Sequence, residues 1–258
     1  MKHMFLIAST IILTVLAACQ PTTVEPEISE RAGVIPADST IPHALTDQEG
    51  LIGQAPTSIS YLALGDSYTI GESVASAERW PVQLQERLNA EQATYQIEYP
   101  DIVATTGWTT ANLSNAMEEA NVDSMSYDLV SLLIGVNNQY QGLPLAQYEE
   151  QYTDLLERAI NIAGSPDRVF VVSIPDYGYT DFGVSNQESI SEDLAQFNAS
   201  CQSITESYNI AWYNITPISQ QWPDVEGLVA NDGLHPSGYQ YGLWVDSFWE
   251  QVLGQLED

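Results

Sequence analysis

Residues 62–69, Leu-Ala-Leu-Gly-Asp-Ser-Tyr-Thr, decide which fold the chain can adopt. The apolar run over residues 59–64 is short and rich in β-formers, so it predicts a buried strand. The run stops at Gly-Asp-Ser, three residue types that are common in turns. In an open α/β fold, a strand that ends in this way carries Ser67 to the carboxyl edge of the sheet, where ligands bind. The stretch therefore predicts either an ordinary turn or a serine placed for chemistry.

The rest of the chain alternates between strand and helix patterns. Further strands are predicted at residues 97–104, 129–134, 169–174 and 210–215, and helices at residues 80–93, 110–121, 145–163, 188–208 and 239–256. Nearly continuous apolar strands that alternate with helices are typical of a parallel sheet covered on both faces. With right-handed crossovers, the expected fold is a three-layer α/β/α sandwich with five parallel strands in a flavodoxin-like arrangement.

Residues 1–18 have the pattern of a secretory signal peptide. A short polar segment that contains Lys2 precedes an apolar run that is shorter than a stable transmembrane helix requires. The following Leu-Ala-Ala-Cys, which ends at Cys19, resembles a bacterial lipoprotein box, in which the cysteine is acylated after cleavage. The pattern predicts an exported lipoprotein, periplasmic or at the cell surface, that acyl chains attach to a membrane. A plain signal peptide with a chance cysteine is the alternative.

The composition changes after the predicted signal. Residues 19–57 are rich in Pro, Thr, Glu, Ser and Gly and have no sustained apolar period. Such a segment cannot bury enough surface to offset the entropy of ordering, so we expect a flexible tether. Residues 58–258 have the length of a single domain. The only cysteine in that domain is Cys201, so no disulfide framework is expected.

The charge of the chain limits its partners and cofactors. Six Lys and Arg residues stand against 35 Asp and Glu residues, for a formal net charge of −29. A surface this acidic repels nucleic acid, so no nucleic-acid partner is expected. Phosphate-loop and dinucleotide motifs are absent from the sequence, and no cofactor is predicted. One histidine and one cysteine in the domain cannot assemble a zinc site of nitrogen and sulfur ligands, so no metal is predicted either. We expect a monomer.

His235 is the only one of the three histidines that falls within residues 58–258. A nucleophilic serine needs a base within hydrogen-bond reach, and the base needs an acid that orients it. If a histidine activates Ser67, it must therefore be His235. Asp232 lies three residues earlier, close enough on a tight turn to accept a hydrogen bond from the imidazole. The alternative is a plain loop that leads into a helix, with Pro236 near its first turn.

Four short blocks of this sequence resemble those of the SGNH (GDSL) hydrolase superfamily. They are Gly-Asp-Ser at residues 65–67, Ala-Thr-Thr-Gly-Trp-Thr-Thr at residues 104–110, Ile-Gly-Val-Asn-Asn at residues 134–138 and Asp-Gly-Leu-His-Pro at residues 232–236. The blocks occur in the order of the family, and the resemblance covers residues 59–253. No Gly-x-Ser-x-Gly elbow occurs in the chain, which argues against the ordinary α/β-hydrolase arrangement.

The resemblance implies a role for particular residues in each block. Ser67 matches the nucleophile, His235 the base and Asp232 the acid that orients it. The backbone N–H groups of Ser67 and Gly107 and the side-chain amide of Asn137 match the three donors of an oxyanion hole. The family's third block often ends in Asn-Asp, where this chain has a second asparagine at position 138, a departure that bears on fine positioning rather than on the reaction.

By this resemblance, the expected activity is serine ester hydrolysis through an acyl-serine intermediate. The expected substrates are short- to medium-chain O-acyl esters, with carbohydrate acetyl esters and aryl esters among the candidates. Three alternatives remain open: a lysophospholipase or thioesterase type of lipolytic enzyme, acyl transfer to an acceptor other than water, and a non-catalytic surface binding module. Five side chains beside the blocks either line the substrate pocket or pack helices onto the sheet: Tyr68, Trp108, Gln139, Tyr140 and Tyr177.

Overall fold

The computed structural model describes residues 55–257. The predicted signal peptide at residues 1–18, the predicted acylation site Cys19 and all of the predicted tether up to residue 54 lie outside the described residues. Within the described range, no helix combines the length and the apolar character needed to cross a bilayer.

The described strands are β1 (Thr57–Ile59), β2 (Tyr61–Gly65), β3 (Tyr95–Ile97), β4 (Asp101–Ala104), β5 (Leu129–Leu133), β6 (Val169–Val172) and β7 (Ala211–Tyr213). Five of them form a sheet in the order β4-β2-β5-β6-β7, and every neighbouring pair is parallel. This is the strand order of the flavodoxin-like doubly wound fold. The predicted fold class, with its sheet of five parallel strands, is confirmed.

The first two predicted strands are each divided in the structure, where a single run was expected. The run at residues 59–64 breaks at Ser60, because its N–H and Oγ both donate hydrogen bonds to the Asp128 carboxylate, at 2.8 and 2.7 Å. The run at residues 97–104 breaks before Pro100, which has no N–H to give to a neighbouring strand. The separated pieces β1 and β3 pair with each other as a small parallel sheet.

The described helices are α1 (Ser67–Ile70), α2 (Trp80–Glu91), α3 (Thr110–Glu119), α4 (Val136–Tyr140), α5 (Leu145–Ala163), α6 (Gln187–Ser207), α7 (Thr216–Ser219) and α8 (Gly238–Glu257). The five predicted helices correspond to α2, α3, α5, α6 and α8, with ends within two residues of those expected. Helices α2 and α8 pack against each other, and α3, α5 and α6 form a second group. In this strand order the chain moves from β2 to β4 in one direction across the sheet and then from β4 to β7 in the other. Right-handed crossovers in opposite directions place their helices on opposite faces, so the two groups lie on opposite faces of the sheet.

Aromatic side chains pack together on both faces of the sheet. On one face, the ring of Trp80 from α2 meets Phe170 of β6 edge-on at 6.2 Å and Phe248 of α8 at 6.3 Å. On the other face, Tyr148 of α5 lies 4.8 Å from Phe197 of α6. Strands β2, β5 and β6 are buried along their whole length. Their apolar side chains therefore form a core that fixes the ends of these strands firmly.

Candidate active site

Strand register brings the first three sequence blocks to one edge of the sheet. Gly65, the last residue of β2, pairs with Ala104 on β4 and with Leu133 on β5. The three strands therefore end side by side, and the segments that follow them leave the sheet together. Ser67 and Asn137 lie in two of these segments. The strand order reverses between β2 and β5, and ligands of open α/β sheets bind at such a switch point.

Ser67 is the first residue of α1 and lies almost directly after β2. Gly65 is required here by close packing, since a Cβ at this position would lie 2.5 Å from the carbonyl oxygen of Leu133. Asp66 caps the short helix through Oδ1, which accepts a hydrogen bond from the N–H of Tyr68 at 3.0 Å. Ser67 is 4% exposed, and its Oγ forms no hydrogen bond with another described residue. The hydroxyl is thus held at the sheet edge without a competing partner.

Asp66 is a fully buried carboxyl group next to this serine. Burial raises its pKa to about 7, and hydrogen bonds from backbone N–H groups, that of Tyr68 first, only partly offset the effect. Its Oδ2 is buried with no partner among the described residues. Because desolvation penalises the charged form, the carboxyl group holds its proton in mildly acidic solution.

Asp232 and His235 form a close pair on the loop before α8. Nδ1 of His235 lies 2.6 Å from Oδ2 of Asp232. Oδ1 of Asp232 accepts hydrogen bonds from the backbone N–H groups of Leu234, at 2.9 Å, and His235, at 3.0 Å. The predicted tight turn therefore exists, and it orients the imidazole against the carboxylate. The ring of Tyr68, the residue after Ser67, lies edge-on to that of His235 at 5.9 Å, which places the pair beside α1.

The chemistry of this pair follows from its geometry. Partial burial alone would raise the pKa of Asp232, but hydrogen bonds from Ser73, His235 and Leu234 hold that pKa well below its usual range. An ionised carboxylate can only accept hydrogen bonds, so Nδ1 of His235 must carry the proton that joins them. In the neutral imidazole, Nε2 is then the unprotonated nitrogen. That atom is able to take a proton from a hydroxyl group.

Gly107 lies in the turn that follows β4. Its φ of +86° belongs to the left-handed region, which glycine adopts without a steric penalty. The turn closes through a hydrogen bond from the N–H of Trp108 to the carbonyl oxygen of Thr105 at 3.2 Å. The N–H groups of Gly107 and Ser67 donate to no acceptor in residues 55–257. Two unused backbone donors therefore lie just after β2 and β4, strands that are neighbours in the sheet.

Asn137 and Asn138 follow β5 on the short helix α4, and their side chains differ in burial and in hydrogen-bond partners. Nδ2 of Asn137 donates to the carbonyl oxygen of Trp108 at 2.9 Å, and the residue is half-buried. Asn138 is fully buried and makes two hydrogen bonds to Thr110, the first residue of α3. Its Oδ1 accepts from the N–H of Thr110 at 3.0 Å, and its Nδ2 donates to Oγ1 at 2.7 Å. Asn138 thus ties the third block to the helix that follows the second.

The five side chains proposed to line a pocket have different environments. Tyr68 is 3% exposed and packs in the core beside His235, while Trp108 is half-buried against the core. Burial raises the pKa of Tyr177 to about 12, and its hydroxyl donates to Oε1 of Gln139 at 2.9 Å. Tyr140 is 59% exposed. Of the five, Tyr140 therefore presents the largest open aromatic surface.

A further aromatic residue, Phe182, joins Tyr140 and Tyr177. The three ring centroids lie 6.0 to 6.3 Å apart, and Phe182 is 50% exposed. We call these three residues the aromatic ledge. The N–H of Phe182 donates to the carbonyl oxygen of Gly233 at 3.0 Å, so the ledge adjoins the loop that carries Asp232 and His235.

Sequence analysis missed two residues at this edge, Phe182 and Ser73. Phe182 stands in the polar segment after β6, and an isolated aromatic residue there was a signal that could have been noticed. Ser73 follows α1, and its Oγ donates to Oδ2 of Asp232 at 2.6 Å. Nothing in the sequence near Ser73 signals this contact, because the two residues are 159 positions apart.

Comparison with known protein families gives one match over most of the domain. The model of the GDSL-like lipase/acylhydrolase family matches residues 63–243, more than half of the chain. That range includes the four sequence blocks and the carboxyl ends of the three strands at the candidate site. Curated protein sequences yield no match to the chain.

Solved structures with the same fold include TesA and several esterases. TesA has a TM-score of 0.59 and 19% sequence identity, and the match covers 76% of this chain and 99% of that one. The psychrotrophic esterase EstA from Pseudoalteromonas sp. has a TM-score of 0.55 and 20% identity, with coverage of 77% and 99%. The acetylxylan esterase Axe2 from Geobacillus stearothermophilus has a TM-score of 0.58 and 17% identity, with coverage of 77% and 95%. At such identities these likenesses establish the shared fold.

Proposed function

Because the chain belongs to the GDSL-like lipase/acylhydrolase family, a family of carboxylic ester hydrolases, we propose that it cleaves short- to medium-chain O-acyl esters through an acyl-Ser67 intermediate. One observation carries this proposal. The 2.6 Å contact between Nδ1 of His235 and Oδ2 of Asp232 leaves Nε2 free to act as a base. The pair lies at the sheet edge where β2 ends and Ser67 follows.

In the first step, Oγ of Ser67 attacks the carbonyl carbon of the ester while Nε2 of His235 takes the hydroxyl proton. The carbon becomes tetrahedral, and negative charge develops on the former carbonyl oxygen. The N–H groups of Ser67 and Gly107 and the second N–H of the Asn137 amide are the donors available to that oxygen. Donors held in place before the reaction stabilise the charge without reorganising, and each contributes about 3–4 kcal/mol.

In the second step, the tetrahedral intermediate collapses and the leaving alcohol oxygen takes the proton from Nε2 of His235. This leaves the acyl group on Oγ of Ser67. A water molecule then attacks the acyl carbon and gives a proton to Nε2, and the acid is released as Oγ of Ser67 takes that proton from Nε2. Throughout, Asp232 stays ionised and holds the imidazole by Nδ1.

The aromatic ledge supports a neutral substrate with a ring that can lie flat against it. Tyr140 and Phe182 are half or more exposed beside the Asp232–His235 loop, and the chain carries a net charge of −29. Such a surface disfavours anionic substrates and suits stacking with a sugar or an aryl group. A cavity of only about 10 Å³ lies between Tyr68, Tyr177 and Leu234, so an acyl chain finds no room there. We therefore favour small acyl groups on a carbohydrate or aryl alcohol, and acetylated polysaccharide is one candidate.

The test is hydrolysis of p-nitrophenyl acetate, butyrate, octanoate and palmitate by the wild-type protein and by Ser67→Ala. Measurements in low and high salt show whether screening of the acidic surface matters. We expect the highest kcat/KM on acetate and butyrate, and a loss of about 10⁴-fold or more in Ser67→Ala.

Other results would point elsewhere. Activity that survives in Ser67→Ala would remove the acyl-serine mechanism, and a preference for palmitate would favour the lipolytic alternative. A folded wild-type protein with no activity on any ester would favour the non-catalytic binding module. Esters formed with added sugar acceptors would identify acyl transfer.

We also propose that the protein is an exported bacterial lipoprotein, acylated at Cys19 and so attached to a membrane surface. The support is the sequence at residues 16–19 together with the polar segment that follows it. In a bacterial host supplied with an alkyne-labelled fatty acid, the wild-type protein should take up label and fractionate with membranes. Cys19→Ser should lose both properties. Label retained in Cys19→Ser would contradict the proposal.

A further inference from the structure

The loop of residues 71–73, directly after α1, contacts three parts of the candidate site. The N–H groups of Gly71 and Glu72 donate to the carbonyl oxygen of Ser67, at 3.1 and 3.0 Å. The Glu72 carboxylate accepts a hydrogen bond from Oγ1 of Thr106, the residue before Gly107. The loop is thus attached both to the helix that carries Ser67 and to the turn that carries Gly107.

The third contact of the loop is with Asp232. Oγ of Ser73 donates to Oδ2 of Asp232 at 2.6 Å, the same oxygen that accepts from His235. The other oxygen, Oδ1, accepts from the backbone N–H groups of Leu234 and His235. An ionised carboxylate has about four acceptor positions, so all of them are used. Only the donor from Ser73 comes from outside the turn that contains Asp232 and His235.

The backbone conformation of Ser73 is one that favours glycine, so the presence of a serine side chain there points to a role for its hydroxyl group. Its φ is +67°, in the left-handed region, where a residue with a Cβ is uncommon. Glycine adopts this conformation without a steric penalty, so the backbone alone would favour glycine here. Strained backbone of this kind is typical of functional sites. What serine adds at this position is the hydroxyl group that reaches Asp232.

We propose that Ser73 is a positioning residue for the esterase reaction, because it fixes the Asp232 carboxylate in the orientation that His235 needs. This inference rests on the proposed function. The hydroxyl of Ser73 holds Oδ2 in line with Nδ1 of His235, so the imidazole keeps a constant orientation relative to Ser67. The same hydrogen bond links the loop of residues 71–73, which follows Ser67 and α1, to the Asp232–His235 turn. The two parts of the site then move as one unit.

The deciding variant is Ser73→Gly, which removes the hydroxyl and at the same time relieves the backbone strain. We expect kcat on p-nitrophenyl acetate to fall by up to about 100-fold, as for other losses of alignment, with KM little changed. The thermal midpoint should be equal or higher. A purely structural role predicts the reverse, a less stable enzyme with undiminished kcat. The matched control is Asn209→Gly, since Asn209 has φ +58° and lies on the exposed turn between α6 and β7. It should leave kcat unchanged.

A rescue variant separates the hydrogen bond from the space that the side chain fills. Ser73→Asn places a residue that tolerates positive φ and offers an N–H donor to Asp232. It should keep more of the wild-type kcat than Ser73→Gly or Ser73→Ala. If Ser73→Gly and Ser73→Ala both keep the wild-type kcat, Ser73 is not a positioning residue.

A measurement that does not depend on turnover completes the test. In protein labelled with ¹⁵N-histidine, the Nδ1–H signal of His235 can be identified by its loss in His235→Gln. The chemical shift of that signal should change in Ser73→Gly and should be unchanged in Asn209→Gly. An unchanged signal in Ser73→Gly would overturn the proposal. If the wild-type protein shows no esterase activity at all, the proposed function fails, and the signal of His235 still decides whether Ser73 orients the pair.

Discussion

Nδ2 of Asn137 donates a hydrogen bond to the backbone carbonyl oxygen of Trp108 at 2.9 Å. The contact joins α4, which follows β5, to the turn that follows β4. Trp108 is the residue after Gly107, so the side-chain donor and the backbone donor proposed for the oxyanion hole are held at a constant separation. An amide nitrogen carries two hydrogens, and the second remains free for a substrate oxygen. Fixed donors of this kind are what stabilisation of an oxyanion requires.

Asn137→Ala should lower kcat by about 100- to 1000-fold, because one of the three proposed donors to the oxyanion is lost. The effect on KM should be modest, since the interaction is made in the transition state rather than with the bound ester. Steady-state kinetics on p-nitrophenyl acetate measure both quantities. An Asn137→Ala protein with wild-type turnover would remove this residue from the hole.

Asn138→Ala should instead act mainly on stability. The side chain is fully buried, and its loss leaves the N–H of Thr110 without its partner. An unsatisfied buried group of this kind costs about 1–3 kcal/mol of unfolding free energy. Urea unfolding of Asn138→Ala and Asn137→Ala gives the comparison, since Asn137 is half-buried and makes one side-chain bond. Equal stability of the two variants would show that the contact with Thr110 is not needed.

Asp66 should make stability fall as the pH rises towards neutrality. Its pKa is about 7 in the folded protein, against about 3.9 in an unfolded chain. Between these values the folded state keeps a proton that the unfolded state has released. The stabilisation from Asp66 is therefore full below about pH 4 and is lost as the pH rises through about 7.

The variant that isolates this effect is Asp66→Asn, which keeps an acceptor for the N–H of Tyr68 and cannot ionise. The unfolding free energy of the wild type should decrease relative to the variant by a few kcal/mol between about pH 5 and pH 8, since one pKa unit corresponds to about 1.4 kcal/mol. Other carboxyl groups are common to both proteins and cancel in the difference. Parallel pH profiles would contradict the raised pKa.

The aromatic ledge should affect the alcohol part of the substrate. Phe182→Ala and Tyr140→Ala should each raise KM for an acetylated oligosaccharide by about 3- to 10-fold, the range expected for the loss of one stacking contact. Hydrolysis of ethyl acetate, which has no ring, should be unchanged. Tyr99→Ala is the control, since Tyr99 is 59% exposed and lies between β3 and β4 at the amino end of the sheet strands. Unaltered KM in both ledge variants would exclude the ledge as a binding surface.

Much of the fold could be predicted because it is encoded by residues close together in the chain. The apolar run before Gly65 makes a strand, and Asp66 caps the helix that starts at Ser67 by a bond to a residue two positions away. The turn that joins Asp232 to His235 is likewise local. The chemical roles assigned to Ser67, Asp232 and His235 stay predictions until the variants are measured.

Other features depend on residues that only the folded chain brings together. The predicted strand at residues 59–64 breaks because Ser60 bonds to Asp128, 68 positions away. Tyr68, a candidate for the pocket, is buried beside His235 because α1 lies against the loop that precedes α8. The position of Phe182 beside Gly233 depends in the same way on how two loops meet at the sheet edge.

The sequence alone therefore determined the order of strands and helices, the turns that end the strands, and the residues available for ester chemistry. Local apolar periods, caps and tight turns act over a few positions, and they can be recognised without the fold. Only the tertiary structure decided that Ser73 reaches Asp232 and that Asn137 is anchored to Trp108. Those contacts follow from strand register and loop path, which are set by the packing of the whole core rather than by any one segment.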